Sequence, residues 1–199
     1  MTLHGATDRA KAVALDVWIA LDDRDCFLAK ERITTAIAQF ERPHEVTTRF
    51  RTVEFQPGQD SAPAVRPQAS TGGQAKPTGT LDAQRLVALA VVMGGPALVS
   101  ALIERLFVAQ FQEQTAIDDP GTLLRLAAEA GLDETWVAAV LAGSSHTDAV
   151  RADQSAAAEQ GIDTVPCVVA DGGAVLAGLA TVEEYLSLLR SAAGLSDAD

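Results

Sequence analysis

The chain has 199 residues, 48% of them hydrophobic, which is enough to bury the core of one domain or of a domain with an insertion. Its net charge of -12, from 15 basic and 27 acidic residues, opposes approach to phosphate backbones and anionic lipids, so neither nucleic acid nor a membrane is an expected partner. Residues 1–18 hold no apolar run long enough for a secretory signal, and no later segment approaches the roughly 18 uninterrupted apolar residues of a membrane span. A cytoplasmic location is therefore expected.

The first quarter of the sequence predicts a strand, a helix and a second strand. Residues 12–20 are almost continuously apolar, as in a central strand buried on both faces, and Asp16 is the exception. From Cys26 to Phe40 apolar residues recur at helical spacing, and Pro43 ends the pattern. The residues after Glu45 alternate in polarity as in a strand. This order indicates a βαβ unit with parallel strands.

The middle of the chain divides into a connector and a helical block. Residues 56–79 hold four prolines and four glycines, which predicts a connector without regular structure. The apolar pattern that follows predicts four or five helices joined by short loops. Asp119 is expected to cap one of them, and Trp136 to fill core. Three glycines are expected in left-handed conformations at helix ends: Gly131, Gly143 and Gly161.

The end of the chain predicts two strands joined by "DGG" and a terminal helix, which opens with Thr181 and Glu184 at capping-box spacing. The whole order is βαβ, helical block, ββα. We divide the chain into an N-terminal half of a mixed α/β fold at residues 1–55, a connector at 56–79, a helical insertion at 80–145 and a C-terminal half at 146–199.

This order, with a cysteine in the first turn of the first helix and "TVP" opening the third strand, resembles the thioredoxin fold. In detail the chain resembles the DsbA-like branch with FrnE-type oxidoreductases, 2-hydroxychromene-2-carboxylate isomerases and kappa-class glutathione transferases. The resemblance rests on "DVWIALDDRDCFLAKERI", "TLDAQRL", "FQEQTAIDDPGTLLRLAAEAGLD" and "AVRADQSAAAEQGIDTVPCVVADGGAVLAGL". It implies a thioredoxin fold with an inserted helical domain.

The family pattern has a C-x-x-C motif where this chain has "DRDC". Asp23 stands at the first cysteine and Cys26 at the second. Dithiol exchange requires a thiolate that attacks and a second thiol that resolves the mixed disulfide, and a carboxylate does neither. The resemblance therefore implies an oxidoreductase family, while the residues imply that ordinary dithiol exchange is lost. Whether the chain is an enzyme stays open at this point.

Asp23 and Cys26 are the candidate catalytic residues, and each has two interpretations. In the first interpretation Asp22 or Asp23 caps the helix and the other carboxylates interact with its dipole; in the second, Asp23 acts as a base or hydrogen-bond acceptor for a substrate. Cys26 packs as a small hydrophobic residue, or it reacts as a monothiol. The acids around Cys26 disfavour its thiolate form.

Val165 and Pro166 are the candidate substrate-binding residues. The resemblance implies that the Val165–Pro166 bond is cis and that the backbone of Val165 binds an extended peptide or glutathione. Cys167 follows directly. It packs in the core or, if its Cα atom lies close enough, pairs with Cys26.

Three functional classes stay open: a residual thiol or glutathione-using enzyme, a glutathione-dependent isomerase or transferase, and a non-catalytic peptide-binding module. An acid at position 23 would repel a glutathione thiolate, which counts against the second class. The expected partner is a peptide or thiol substrate or glutathione. No resident cofactor is expected, and glutathione is the one small molecule that the resemblance makes a candidate. The spacing of His4, His44 and His146 suits no zinc site, so no metal is expected. The oligomeric state is left open.

Overall fold

The computed structural model describes residues 12–54 and 79–195. The connector predicted at 56–79 lies, apart from Gly79, outside the described residues, and so does His4. The described part contains four strands, six α-helices and one 3-10 turn. In chain order they are β1 (Val13–Ile19), α1 (Arg24–Gln39), the 3-10 turn (Pro43–Glu45), β2 (Val46–Thr52), α2 (Leu81–Phe111), α3 (Pro120–Glu129), α4 (Glu134–Ala142), α5 (Thr147–Glu159), β3 (Cys167–Ala170), β4 (Val175–Ala177) and α6 (Val182–Ala192).

The four strands form one mixed sheet in the order β2-β1-β3-β4. β1 and β2 run parallel, in register from Val13 opposite Val46 to Ile19 opposite Thr52. β3 is antiparallel to β1, and β4 is antiparallel to β3. The predicted βαβ unit and the predicted hairpin are therefore confirmed, and the helical block lies between them in sequence.

Five of the seven residues of the central strand β1 are buried, and Ala14 and Asp16 are partly buried, so the prediction of a buried central strand holds for most of its length. Asp16 is tolerated because its register partner on β2 is Arg49, whose Nε lies 2.7 Å from the Asp16 carboxylate. On the same face Trp18 is fully buried, with the Arg51 guanidinium 5.1 Å from the centre of its ring. Arg51 also binds Asp153 of α5 at 2.6 Å, which ties α5 to this face.

Helix α2 is two helical segments joined by a kink. Gly95 has a φ of +67°, a conformation that costs glycine little, and Pro96 follows it without an N–H to donate. By length and composition this helix could cross a membrane. This is contrary to the expectation that no segment approaches a membrane span. Of its apolar 18-residue window, 39% is buried inside the protein.

An arginine on α2 joins α2 to the end of α4 within the helical block. The buried Arg85 guanidinium donates to the backbone carbonyls of Val140, Gly143 at 2.6 Å and Ser145 at 2.8 Å, and pairs with Asp82 at 2.6 Å. These carbonyls lie at and just beyond the C-terminal end of α4, where helix carbonyls run short of donors within the helix; of the three, Val140 also accepts from the Gly143 N–H at 3.2 Å. One arginine therefore completes α4 and joins it to α2.

Helix ends agree with the sequence in most places. Asp119 caps α3 by accepting from the Thr122 N–H at 2.7 Å, and Thr181 and Glu184 form the predicted capping box of α6. The left-handed prediction is right for Gly131 and Gly161 and wrong for Gly143, whose φ is −124°. The Arg85 hydrogen bond to Gly143 fixes that carbonyl instead.

The prediction that Trp136 fills core is wrong. Its side chain is 56% exposed on α4, whereas Val137 and Val140 are buried. One turn of helix separates Val137 from Val140, so those two residues define the inward face, and Trp136 lies to one side of it.

Candidate functional site

A tight turn carries the chain from β1 into α1. The Asp23 N–H donates to the Ala20 carbonyl at 3.3 Å, and Asp23 then adopts an extended conformation as the N-cap of α1. Its Oδ1 accepts a hydrogen bond from the Cys26 N–H at 3.0 Å. The capping interpretation of Asp23 therefore matches the geometry, and the carboxylate satisfies one of the free N–H groups at the helix start.

The Cys26 side chain points into the core from the first turn of α1. It is completely buried, and its Sγ accepts a hydrogen bond from the Ala20 N–H at 3.3 Å. The pKa of the thiol lies well above its usual value, first because burial penalises the thiolate and then because the Asp23 carboxylate is close by. Cys26 is therefore held as a neutral thiol.

Two half-buried carboxyl groups lie at the mouth of the turn. The pKa of Asp23 is raised because burial outweighs the backbone hydrogen bonds from Cys26 and Asp25. The pKa of Asp22 is also raised, by burial and, more weakly, by the charge of Glu54. Ionising either carboxyl group in this position costs more free energy than ionising it in water, as the raised pKa values indicate.

The loop before β3 lies at the same end of the sheet as Asp23. The Val165–Pro166 peptide bond is cis, and the Pro166 carbonyl accepts from the Gly178 N–H at 2.7 Å. Cys167 is the register partner of Trp18, so Pro166 comes one residue further on, beside the end of β1. The chain leaves β1 there and reaches Asp23 and Cys26 within seven residues of Ile19. The topology thus brings all four candidate residues to one end of the sheet.

Val165 and Pro166 are buried in the loop before β3. Among the described residues, no hydrogen bond reaches the N–H or the C=O of Val165. A buried backbone group without a partner is uncommon, because it forfeits a hydrogen bond to water. The loop before β3 therefore holds a donor and an acceptor that no described residue satisfies.

Cys167 is a second buried, free thiol. Burial, and then the charge of Asp163, raise its pKa to about 11. Cys26 and Cys167 are not joined by a disulfide in this structure, and both lie in the core. The core-packing interpretation matches what is observed for Cys167.

Tyr185 of α6 is a neighbour of the thiol that the sequence did not identify. It is buried, and its pKa is raised to about 12, mainly by burial, with a smaller contribution from the nearby Cys26. Its hydroxyl lies near the backbone of Ala180 without a well-formed hydrogen bond to any described residue. The sequence signal that could have identified Tyr185 is the apolar face of the terminal helix, which packs on α1.

An aromatic cluster joins the helical block to the start of α1. Phe27 follows Cys26 directly; its ring centre lies 5.7 Å from that of Phe107 and 5.8 Å from that of Phe111, both on α2. The C-terminal end of α2 thus packs beside the first turn of α1. Within residues 12–54 and 79–195, His, Cys, Asp and Glu side chains form no group able to hold a metal ion.

Comparisons with known proteins identify the family. The family model for the DSBA-like thioredoxin domain matches residues 24–190. No curated protein matches the chain. Among solved structures, a probable DsbA oxidoreductase from Streptomyces coelicolor is 25% identical with a TM-score of 0.77, and the match covers 94% of this chain and 92% of that one.

Two further structures share the fold at lower identity. A 2-hydroxychromene-2-carboxylate isomerase has a TM-score of 0.65 at 18% identity, covering 91% of this chain and 94% of that one. DsbA from Chlamydia trachomatis has a TM-score of 0.67 at 11% identity, covering 92% of this chain and 88% of that one. The family model spans most of the chain, including α1 and the cis-proline loop. The chain therefore belongs to the family of DSBA-like thioredoxin domains.

Proposed function

We propose that this chain is a DsbA-like protein that has lost dithiol exchange and acts as a binding protein for extended peptides. The observation that carries the proposal is the pair at the start of α1: Asp23 occupies the N-cap with its carboxylate on the Cys26 N–H, and Cys26 is completely buried. Its relation to oxidoreductases of the family is then one of fold and binding surface rather than chemistry.

The electron balance of dithiol–disulfide exchange supports the loss of this reaction. Reducing a disulfide consumes two electrons from two thiols, which become a disulfide themselves. Asp23 supplies no thiol, and Cys26 has neither exposure nor a lowered pKa. Cys167 is no substitute, because it is buried as well and its pKa is raised to about 11.

The backbone of Val165, which makes no hydrogen bond to another described residue, supports peptide binding. Its N–H is a donor and its C=O is an acceptor. An extended segment could pair with both, in the way that one β-strand pairs with the next. Asp23 lies at the same end of the sheet and offers a carboxylate to a donor on the bound segment. In this proposal Val165 and Pro166 bind the segment, and Asp23 accepts from it.

The two enzymatic alternatives have less support. A monothiol enzyme needs an accessible thiolate, and the described thiols are both buried with raised pKa values. A glutathione-dependent isomerase or transferase needs to hold a glutathione thiolate near position 23. Asp22 and Asp23 would repel that charge.

The test combines an activity assay with a binding assay on the wild-type protein. We expect no reduction of insulin above the dithiothreitol background. We expect carbamidomethylated insulin B chain, which has no free thiol, to shift the amide resonance of Val165 in a nitrogen–proton NMR spectrum while Val175, on the edge strand β4, stays in place. Insulin reduction by the wild type would contradict the proposal. So would a spectrum in which the peptide moves Val175 and leaves Val165 unchanged, because the peptide would then add to the sheet edge.

A further inference from the structure

Three segments of the chain meet at the end of the sheet that holds Val165. Cys167 is the register partner of Trp18, so Val165 lies two residues beyond the last pair of β3 with β1. On the other side of β1, the Val53 N–H donates to the Ile19 carbonyl at 2.9 Å, which keeps the chain after β2 beside β1. Neighbouring strands lie about 4.8 Å apart, so the residues that follow β1 have the loop of Val165 on one side and the end of β2 on the other.

The segments after β1 and β2 both carry carboxylates at this end of the sheet. Asp22 and Asp23 follow β1, and Glu54 follows β2. The backbone of Glu54 is held by Gln154 of α5: the Glu54 N–H donates to the Gln154 side chain at 3.0 Å, and the Glu54 carbonyl accepts from it at 3.3 Å. Burial and, more weakly, the charge of Glu54 raise the pKa of Asp22, so these two carboxylates are close enough to interact.

The loop before β3 adds another carboxylate. Asp163 precedes Val165 by two residues. Burial and then the charge of Asp163 raise the pKa of Cys167, which places this carboxylate near the start of β3. Val165 therefore has acidic groups on both sides, from Asp163 in its own loop and from Asp22 and Asp23 after β1.

No ion pair within the described residues involves these four carboxylates. Two basic side chains of the adjoining elements have partners elsewhere, because Lys30 pairs with Glu104 and Arg51 with Asp153. A third, Arg24, is exposed at the first position of α1. The negative charge beside the loop of β3 is thus not balanced by an ion pair in the part of the fold described.

We propose that the extended segment bound at Val165 carries a lysine or arginine side chain, which binds the carboxylates of Asp22, Asp23 and Glu54. This inference rests on the proposed function, because it names the class of peptide that the same site takes. A cationic side chain makes charge-assisted hydrogen bonds to carboxylates and favours their ionised form. A neutral segment pairs with the backbone of Val165 alone, and an acidic one is repelled.

Titration of the wild type with three peptides tests the inference, with the amide resonance of Val165 in a nitrogen–proton NMR spectrum as the readout. The peptides have blocked ends and a host of alternating threonine and serine, and they carry arginine, citrulline or glutamate at one central position. Citrulline has nearly the shape of arginine without its charge. Because the host repeats, the peptide can shift along the site until its central side chain meets the carboxylates. We expect the arginine peptide to bind about tenfold more tightly than the citrulline peptide, and the glutamate peptide to bind most weakly.

Matched variants separate these carboxylates from the net charge of -12, which attracts any cationic peptide. Asp22→Asn removes one charge at the site. Asp171→Asn removes the same charge at the opposite end of the sheet, where the Asp171 N–H donates to the Ala14 carbonyl at 3.0 Å. We expect Asp22→Asn to bind the arginine peptide at least about threefold more weakly and the citrulline peptide unchanged, and Asp171→Asn to match the wild type. Glu54→Gln repeats the test from the end of β2, and thermal unfolding checks that each variant is folded.

Equal affinity of the wild type for the arginine and citrulline peptides would overturn this inference and leave the proposed function standing, because both peptides would still bind at Val165. Equal weakening by Asp22→Asn and Asp171→Asn would also overturn it, since the net charge would then be the cause. If none of the peptides moved the Val165 resonance, the proposed function would fail, and this inference with it.

Discussion

Asp23 can be tested with two variants that separate its hydrogen bond from its charge. Asp23→Asn keeps an oxygen that can accept from the Cys26 N–H and removes the charge, whereas Asp23→Ala removes both. Asn and Asp are comparable N-caps, and replacing such a cap by Ala costs about 1 kcal/mol. We therefore expect Asp23→Asn to be more stable than Asp23→Ala by about 1 kcal/mol, or roughly 2–4 °C in Tm for a chain of this size.

The charge of Asp23 gives the comparison with the wild type its pH dependence. Burial raises the pKa of Asp23 in the folded protein above its unfolded value, so its contribution to stability is fully present below the unfolded pKa of about 4 and is lost as the pH rises through the folded pKa. Asn does not ionise. We expect Asp23→Asn to be more stable than the wild type at pH 7, with the difference shrinking as the pH falls towards 4. Asp22 has a raised pKa too, but it is present in both proteins.

Denaturant unfolding at several pH values between 4 and 8 measures both differences. The reasoning would be refuted if Asp23→Ala were as stable as Asp23→Asn, because the cap would then contribute nothing. It would also be refuted if the wild type gained stability over Asp23→Asn with rising pH. That result would mean that the folded protein favours the Asp23 charge.

Three further predictions follow from contacts around the site. Cys26 and Cys167 should not react with a thiol reagent in the native protein and should both react in denaturant; a rapid native reaction would show that a thiol is accessible. Phe107→Ala should cost about 3–5 kcal/mol in chemical denaturation, because Phe107 is fully buried and contacts Phe27 and Phe111; a loss below about 1 kcal/mol would mean that the cluster repacks. Arg85→Met should speed hydrogen exchange in α4 more than in α6, because it removes the guanidinium that binds the Val140 and Gly143 carbonyls at the end of α4; equal change in both helices would contradict this role.

Local signals in the sequence predicted the parts of the fold that depend on neighbouring residues. The cap at Asp119 and the capping box of Thr181 and Glu184 are each completed within one helical turn, so they are readable from spacing. Asp16 looked anomalous in a buried strand because its partner, Arg49, is distant in sequence and is brought alongside only by the parallel register.

Features set by long-range packing were not readable in this way. Gly143 is extended because a guanidinium from α2 holds its carbonyl, and no local pattern announces Arg85. Trp136 is exposed because α4 buries another face. At the candidate site, the motif indicated Asp23 and Cys26, but only the fold shows that Tyr185 lies near the thiol.

The central claim is that Asp23 occupies the position of the attacking cysteine in an otherwise DsbA-like site. The most direct measurement is made on Asp23→Cys, compared with the wild type. We expect the oxidised variant to be two hydrogen masses lighter than its reduced form, with a disulfide between positions 23 and 26, and to reduce insulin in the presence of dithiothreitol, whereas the wild type does not. A folded variant that forms no such disulfide and leaves insulin oxidised would contradict the claim.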